Sequence, residues 1–318
     1  MSPCAVCNTP ARAPVCGQVA WISKLSTVIY CKIDCVWVLL FLLTSFAWAQ
    51  PKPIFPDDTQ DPKQADGAEL LEAACPGHVV IGKDIACTET CPESSAFKDD
   101  KNWDWTLLGV TRGHFLSPHS DDAALAMTGC EGGYNRYGGT ILLTRRSGKW
   151  NMLWYRGGVQ TQQCHRGKIP GGREMLICLG GIGGQGNVWM DLDLVDFLSP
   201  SITLNSPTDG SFFNSFDNSS TCGWNPQDEA KPVHITHEFI ERVAIQTERD
   251  GTLRGLSVLG RRGERDMTVA QIKSCTDQQV SRPRTGIDFR PPTKPYRIDF
   301  KFDGKQMVRV GESPRAPK

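Results

Sequence analysis

Tyr296-Arg-Ile-Asp-Phe-Lys-Phe-Asp303 decides the fold class. Tyr296, Ile298, Phe300 and Phe302 alternate strictly with charged residues. Because successive side chains of a strand point to opposite faces, this period of two describes a strand with one buried and one wet face. Asp303-Gly304 then supplies positive backbone angles for a tight turn, and Met307-Val308-Arg309-Val310 returns as the partner strand.

The same grammar recurs upstream. Phe239, Val243 and Ile245 lead to Asp250-Gly251 and back through Leu256 and Val258. Thr140 to Arg146 turns at Ser147-Gly148 into Trp150-Asn-Met152-Leu-Trp154, whose two Trp and Met are expected on one face. Val188, Met190, Leu192 and Leu194 alternate with Trp189, Asp191 and Asp193 in a further half-buried strand. Repeated hairpins with Gly-containing turns predict an all-β chain built as an antiparallel meander, propeller-like or else a β-sandwich, and exclude a wound α/β sheet. Helical signals are sparse: Ala68–Cys75 after an Asp66 cap, and Met267–Gln279 after an Asp266 cap.

The run from Cys35 to Ala49 is uncharged and apolar, follows Lys24 and Lys32, and ends in Ala47-Trp48-Ala49, a small-x-small cleavage site. This is the signature of a secretory signal peptide. Residues 1–49 are therefore read as a signal peptide with an over-long N-terminal extension, and the mature chain is expected to begin near Gln50, secreted or periplasmic. Lys32 and Asp34 keep the run short of the ~20 apolar residues that a spanning helix needs, so no stable membrane anchor is expected. Residues 50–67, rich in Pro, Asp, Gln and Lys, read as a flexible linker. Residues 68–318 read as a mostly β globular domain, with 281–295 a Pro-rich linker before the last hairpin.

The whole chain carries 35 basic and 35 acidic residues, and removal of Arg12, Lys24, Lys32 and Asp34 with residues 1–49 leaves 32 against 34. That balance gives no global electrostatic footprint for nucleic acid or an anionic membrane. Eight cysteines follow the cleavage site: Cys75, Cys87, Cys91, Cys130, Cys164, Cys178, Cys222 and Cys275. An even number in an oxidising compartment implies disulfides, whose connectivity the spacing leaves open.

Two resemblances enter at residues 107–155. Leu107-Leu-Gly-Val-Thr-Arg-Gly-His-Phe115, Asp121-Asp-Ala-Ala-Leu-Ala126, Gly138-Gly-Thr-Ile-Leu-Leu143 and Gly148-Lys-Trp150 together resemble one blade of the FG-GAP or VCBS-type propeller repeats of secreted bacterial proteins. That resemblance implies a propeller. Such blades often carry an Asp-x-Asp-Gly calcium loop, where this chain has Ser117-Pro-His-Ser-Asp-Asp122. Pro118-His119-Ser120-Asp121-Asp122 also resembles the Pro-His-x-Asp-Asp motif of PIG-L or LmbE-type zinc deacetylases. The resemblance implies His119 and Asp122 as zinc ligands and Asp121 as the base on the metal-bound water, whose pKa zinc lowers to about 7. The family's third ligand would have to come from His234-Ile-Thr-His237, but residues three apart in a strand face opposite sides. The family motif also opens a helix in a wound sheet, whereas hairpins follow here.

Gly181-Ile-Gly183-Gly-Gln-Gly186 fits a dinucleotide fingerprint, yet the next segment alternates at period two and offers no helix N-terminus to a pyrophosphate, so it reads as a Gly-rich turn. Trp103, Trp105 and Trp224 read as core or edge packing, with a sugar-stacking platform as the alternative. His165 lacks a paired carboxylate in sequence and reads as a surface residue, and Asn218-Ser-Ser220 is a glycosylation sequon. With no complete catalytic constellation, the chain reads as a non-catalytic secreted binding module for an extracellular or envelope partner or a glycan, with no cofactor. The alternative is a hydrolase centred on His119, Asp121 and Asp122, with zinc, or calcium in a blade-type loop.

Overall fold

The alternation over 296–302 is realised in the computed structural model of the chain, which describes residues 53–88, 105–128, 138–184, 187–199, 211–219, 232–274 and 290–314. All belong to one compact unit, Pro53–Lys318. A short helix, α1 (Gly67–Glu72), precedes a six-stranded sheet of β1 (Val79–Ile81), β2 (Ile85–Cys87), β3 (Trp105–Gly113), β4 (Asp122–Thr128), β5 (Gly139–Arg146) and β6 (Lys149–Gly157). The second sheet has four strands, β7 (Cys164–Lys168), β8 (Glu174–Gly184), β9 (Asn187–Val195) and β10 (Ser211–Asp217). The third has four, β11 (Val233–Thr247), β12 (Leu253–Met267), β13 (Lys294–Phe302) and β14 (Met307–Pro314).

In every sheet each strand pairs antiparallel with its neighbour in sequence, so the protein is an all-β meander with few helical residues. Antiparallel neighbours need only short hairpin connections, which is why the turn chemistry of the sequence carries so much of the topology.

Burial explains why these strands stack. In β4, Ala123, Leu125 and Met127 face a core shared with α1, Trp105 and Ile141, while Ala124 faces a second core with Phe115, Leu142, Leu176 and Cys178. A strand covered on both faces reads as a continuous apolar run, as Ala123-Ala-Leu-Ala-Met127 does. The second sheet likewise presents Leu176 and Cys178 to that core. Its other face gives Met175, Ile177, Leu179 and Leu192 to a third core, filled by Leu256, Val258, Ile298 and Phe300 of the last sheet. Tyr296, Ile298, Phe300 and Phe302 are all buried, as their alternation requires.

The hairpins differ in their turns. Ser147 (φ 51°) and Gly148 (φ 81°) both take left-handed angles, giving a two-residue connection matched to strand twist. At 303–306 only Gly304 is left-handed, and the Asp303 carboxylate accepts the Lys305 and Gln306 N–H groups at 2.9 Å each. The loop is thus four residues long rather than the tight Asp-Gly turn expected.

Several expectations are corrected. The stretch read as a flexible linker is, over its described part, a packed strap. Phe55 is fully buried in the third core, and the Ile54 carbonyl accepts the Val243 N–H at 2.7 Å. Asp58 N–H donates to the Cys164 carbonyl at 2.7 Å, and Gln60 exchanges hydrogen bonds with Val110 at 2.8 and 3.1 Å. Three sheets are therefore stitched by one segment of low apolar content. Asp191 and Asp193, expected on a wet face, are buried, with Ser211 Oγ donating to Asp193 at 2.7 Å. A bulge between the pairs of Leu142 and Leu143 leaves Leu153 as an extra residue, so Trp154 packs in the second core while Trp150 and Met152 pack on the first. One inserted residue moves the following side chain to the other face. Asp66 holds the N-cap position of α1 but makes no side-chain cap hydrogen bond and instead approaches Arg112 at 3.6 Å. The second helix is capped by Thr268, not Asp266: Thr268 and Gln271 exchange side-chain and backbone bonds in a capping box ahead of helical residues 269–274.

Two disulfides lie among the described residues, Cys75–Cys87, fixing the turn after α1 to β2, and Cys164–Cys178, joining directly opposed residues of β7 and β8. Cys91, Cys130, Cys222, Cys275, the run read as a signal peptide, most of the stretch at 281–295 read as a linker, Trp103 and Trp224 lie outside the described residues.

Candidate functional site

The loop bearing the Pro-His-Ser-Asp-Asp sequence connects β3 to β4 and turns at 117–120, where Ser120 Oγ accepts the Ser117 N–H at 3.0 Å and lies 2.9 Å from the Ser117 carbonyl oxygen. Asp122 opens β4 and is fully buried. Its Oδ2 accepts the N–H groups of Phe115 at 2.8 Å and Leu116 at 2.9 Å and the Ser120 hydroxyl at 2.5 Å. Three donors on one oxygen make Asp122 the clamp of the loop. A buried carboxylate is tolerated only when its charge is met in this way. Its Oδ1 is buried without a hydrogen-bond partner.

Asp121 points the other way, half exposed, with Arg145 at 3.6 Å, while the Arg145 N–H donates to the Asp121 carbonyl at 2.8 Å. His119 is exposed at the loop tip. The residues His119, Asp121 and Asp122 therefore do not converge, and among the described residues no group of three His, Cys, Asp or Glu side chains is placed to hold a metal ion. The zinc resemblance also requires a helix after the motif, where this chain continues as β4.

The His-x-x-His segment lies within β11, and its two rings have different partners. His234 meets Asp266 of β12 at 2.9 Å, whereas His237 meets Asp217 of β10 at 2.9 Å and Ser219 Oγ at 3.2 Å. Asp217, His237 and Ser219 have the composition of a catalytic triad, which the sequence reading did not single out. The geometry is wrong for one. A relay needs the hydroxyl on the ring nitrogen opposite the carboxylate, and here both partners meet Nδ1. The cluster fastens β10 to β11, together with Asn218, whose amide accepts from Thr236 N–H at 2.8 Å and donates to the His234 carbonyl at 3.1 Å.

Other single residues settle into structural roles. His165, read as lacking a carboxylate, has Asp58 at 3.0 Å, a partner 107 residues earlier that only the strap brings near. Trp105 is buried against Tyr155, edge to face at 5.2 Å, and belongs to the core. Gly181 and Gly183 lie within β8, paired with Met190 and Val188 of β9, so the run is strand as far as Gly184; residues 185–186 lie outside the described residues, and the next described element is the strand β9. Glu238 is buried and pairs with Arg262 at 2.8 Å. Burial works against the Arg262 charge, but the Glu238 hydrogen bond and the nearby Glu312 outweigh it and raise its pKa. Burial and the Glu238 charge push the Tyr296 hydroxyl up, so it stays neutral.

One corner remains chemically open. The β5–β6 hairpin tip carries Arg145, Arg146 and Lys149, all exposed, beside the loop that carries His119. Arg146 and Lys149 are direct cross-strand partners, and neither side chain has an ion-pair partner among the described residues. Trp150, opposite Arg145, has the guanidinium carbons of Arg112 and Arg145 at 5.4 and 5.7 Å from its ring centroid.

Compared with protein-family models, curated proteins and solved structures, the chain matches none.

Proposed function

We propose that this chain is an exported, disulfide-containing, non-catalytic binding module that acts outside the cytoplasm, secreted or periplasmic, on an extracellular or envelope partner. The observation that carries the reading is the commitment of Asp122. The one side chain of the Pro-His-Ser-Asp-Asp loop that is buried is spent on that loop's own donors, and His119 and Asp121 point elsewhere. Export is supported by the signal-type run ending at Ala49 and by two disulfides. The FG-GAP or VCBS resemblance of residues 107–155 is part of the same proposal. It is supported by β3 to β6, four consecutive antiparallel strands over that span.

Metal content tests the reading. Purified protein exported from the periplasm should hold no stoichiometric zinc or calcium by mass spectrometry, and His119→Ala should leave thermal stability within about 0.5 kcal/mol, as for any surface substitution. Stoichiometric zinc lost on His119→Ala would restore the hydrolase.

A further inference from the structure

β14 is the outermost strand of the third sheet, hydrogen-bonded to β13 on one side and to no described strand on the other. Every residue from Val308 to Pro314 is exposed, and Val308 and Val310 keep 40% and 60% of their surface in water. Two other strand edges are guarded by the strap, which holds Cys164 and Arg166 of β7 through Asp57, Asp58 and Thr59, and Val243 of β11 through Ile54. An unpaired edge is normally blunted by lysine or proline, because its free N–H and C=O groups recruit another strand. β14 has no Lys and reaches Pro314 only at its last residue. A bulge leaves Val310 as an extra residue, with Phe300 opposite Arg309 and Asp299 opposite Gly311. Residues three apart face opposite sides of a regular strand, but here the bulge puts Arg309 and Glu312 on one side, that of Phe300 and Ile298. They form an ion pair there, 53% and 38% exposed, and Glu312 also has Arg262 at 3.7 Å.

We propose that β14 is the dimerisation edge of this protein, pairing antiparallel with β14 of a second copy about a two-fold axis between Val310 and Gly311. In that register Arg309 meets Glu312 of the second copy, and Glu312 meets Arg309 of the second copy, so the interface holds two ion pairs. Val308 meets Ser313 on the other side of the sheet, the side of Lys301 and Arg297. Val310 meets Gly311, which has no side chain and open space where one would stand. Arg309 with Glu312, and Val308 with Ser313, therefore join residues of the same face, as cross-strand pairing requires. The bulge is what selects a second copy over a foreign strand. A regular strand has no residue to match Val310, whereas a second β14 brings the same extra residue at the same distance from the axis. The contact is isologous and closes at two copies.

One strand edge buries less than the roughly 1,200 Å² at which standard interfaces begin, so the dimer is weak and its dissociation constant lies in the micromolar range. The assay is analytical ultracentrifugation of the full mature chain over a concentration series that spans that range. Arg309→Glu makes both positions of each copy acidic, and Glu312→Arg makes both basic. Either variant alone replaces two attractive cross-copy pairs by two repulsive ones, and should weaken self-association by about tenfold or more. Mixed in equal amounts, the two should form a heterodimer at least as tight as the wild-type dimer, because acidic positions then face basic ones across the axis.

The mixture separates the interface from folding. Both variants lose the ion pair within β14, so an effect that came only from that internal pair persists on mixing, whereas a cross-copy effect is reversed. Val310→Lys supplies a second check: it leaves Arg309 and Glu312 in place but sets an unmatched charge beside the axis, and should weaken the dimer while the melting temperature of the dilute monomer is unchanged. A chain that stays monomeric over the whole series, single variants that dimerise as the wild type does, a mixture no tighter than either variant alone, or growth beyond two copies overturns the edge. The dimer goes beyond the binding-module reading and does not depend on it: bound zinc would remove that reading and leave the edge standing.

Discussion

Phe55→Ala is the sharpest perturbation of this fold, because it strikes residues that composition assigns to a linker. Phe55 is 0% exposed and sits in the core shared by the second and third sheets, among residues such as Met175, Ile177, Leu256 and Phe300. Truncating a buried Phe loses its transfer free energy and leaves a cavity, together about 3–5 kcal/mol. At roughly 2–4 °C per kcal/mol for a domain of this size, a loss near 4 kcal/mol lowers the melting temperature by about 8–16 °C. Its neighbour supplies the control. Ile54 is 45% exposed and holds Val243 through its backbone carbonyl, which a side-chain change leaves intact, so Ile54→Ala should cost under about 1 kcal/mol. The assay is urea unfolding followed by tryptophan fluorescence, with an unchanged m-value confirming that both variants unfold from the same compact state. If Phe55→Ala costs no more than Ile54→Ala, the strap is a tail and the stitching of the three sheets is mistaken.

Three further outcomes follow from the same structure. Asp122→Ala removes the acceptor of two backbone N–H groups and one hydroxyl, and should cost about 2–4 kcal/mol in urea unfolding because the donors are left buried and unpaired; an effect as small as that of His119→Ala would show that the loop does not depend on its clamp. Cys164→Ala/Cys178→Ala opens a link between residues 14 apart, which is worth about 3 kcal/mol in the loop-entropy account, and peptide mapping without reductant should recover the 75–87 and 164–178 pairs and no cross-pairing between them. The Asp303 carboxylate, held below its ordinary 3.8 by the N–H groups of Gln306 and Lys305, contributes stability that is present above that value and is lost as pH falls through the lowered pKa; the acid limb of the unfolding curve should therefore be shallower in Asp303→Asn, and equal limbs would remove the turn from the account.

By itself the sequence determined the class of this protein and its connectivity. The period of two in Tyr296–Phe302, and the Gly turns at Ser147-Gly148 and Asp250-Gly251, are local signals, because strand faces and hairpin reversals are properties of a few consecutive residues. The contradictions between the His-x-x-His spacing and a shared metal, and between the Gly-rich run and a dinucleotide, were legible for the same reason. Only the tertiary structure decided what depends on residues far apart. Phe55 in an apolar-poor stretch carries no periodic signal, yet its burial depends on β11, some 190 residues later. Asp191 and Asp193 alternate like solvent-facing residues, and only the packing of a second layer turns them inward. Trp154 leaves the face of Trp150 because of a bulge whose register is set by β5. His165 finds Asp58, and His237 finds Asp217, across distances that no spacing rule spans. The Pro-His-Ser-Asp-Asp motif was readable as a string, but its chemistry was not: whether Asp122 faces a metal or its own loop is set by the strand it opens, and that strand exists because two cores close over both of its faces.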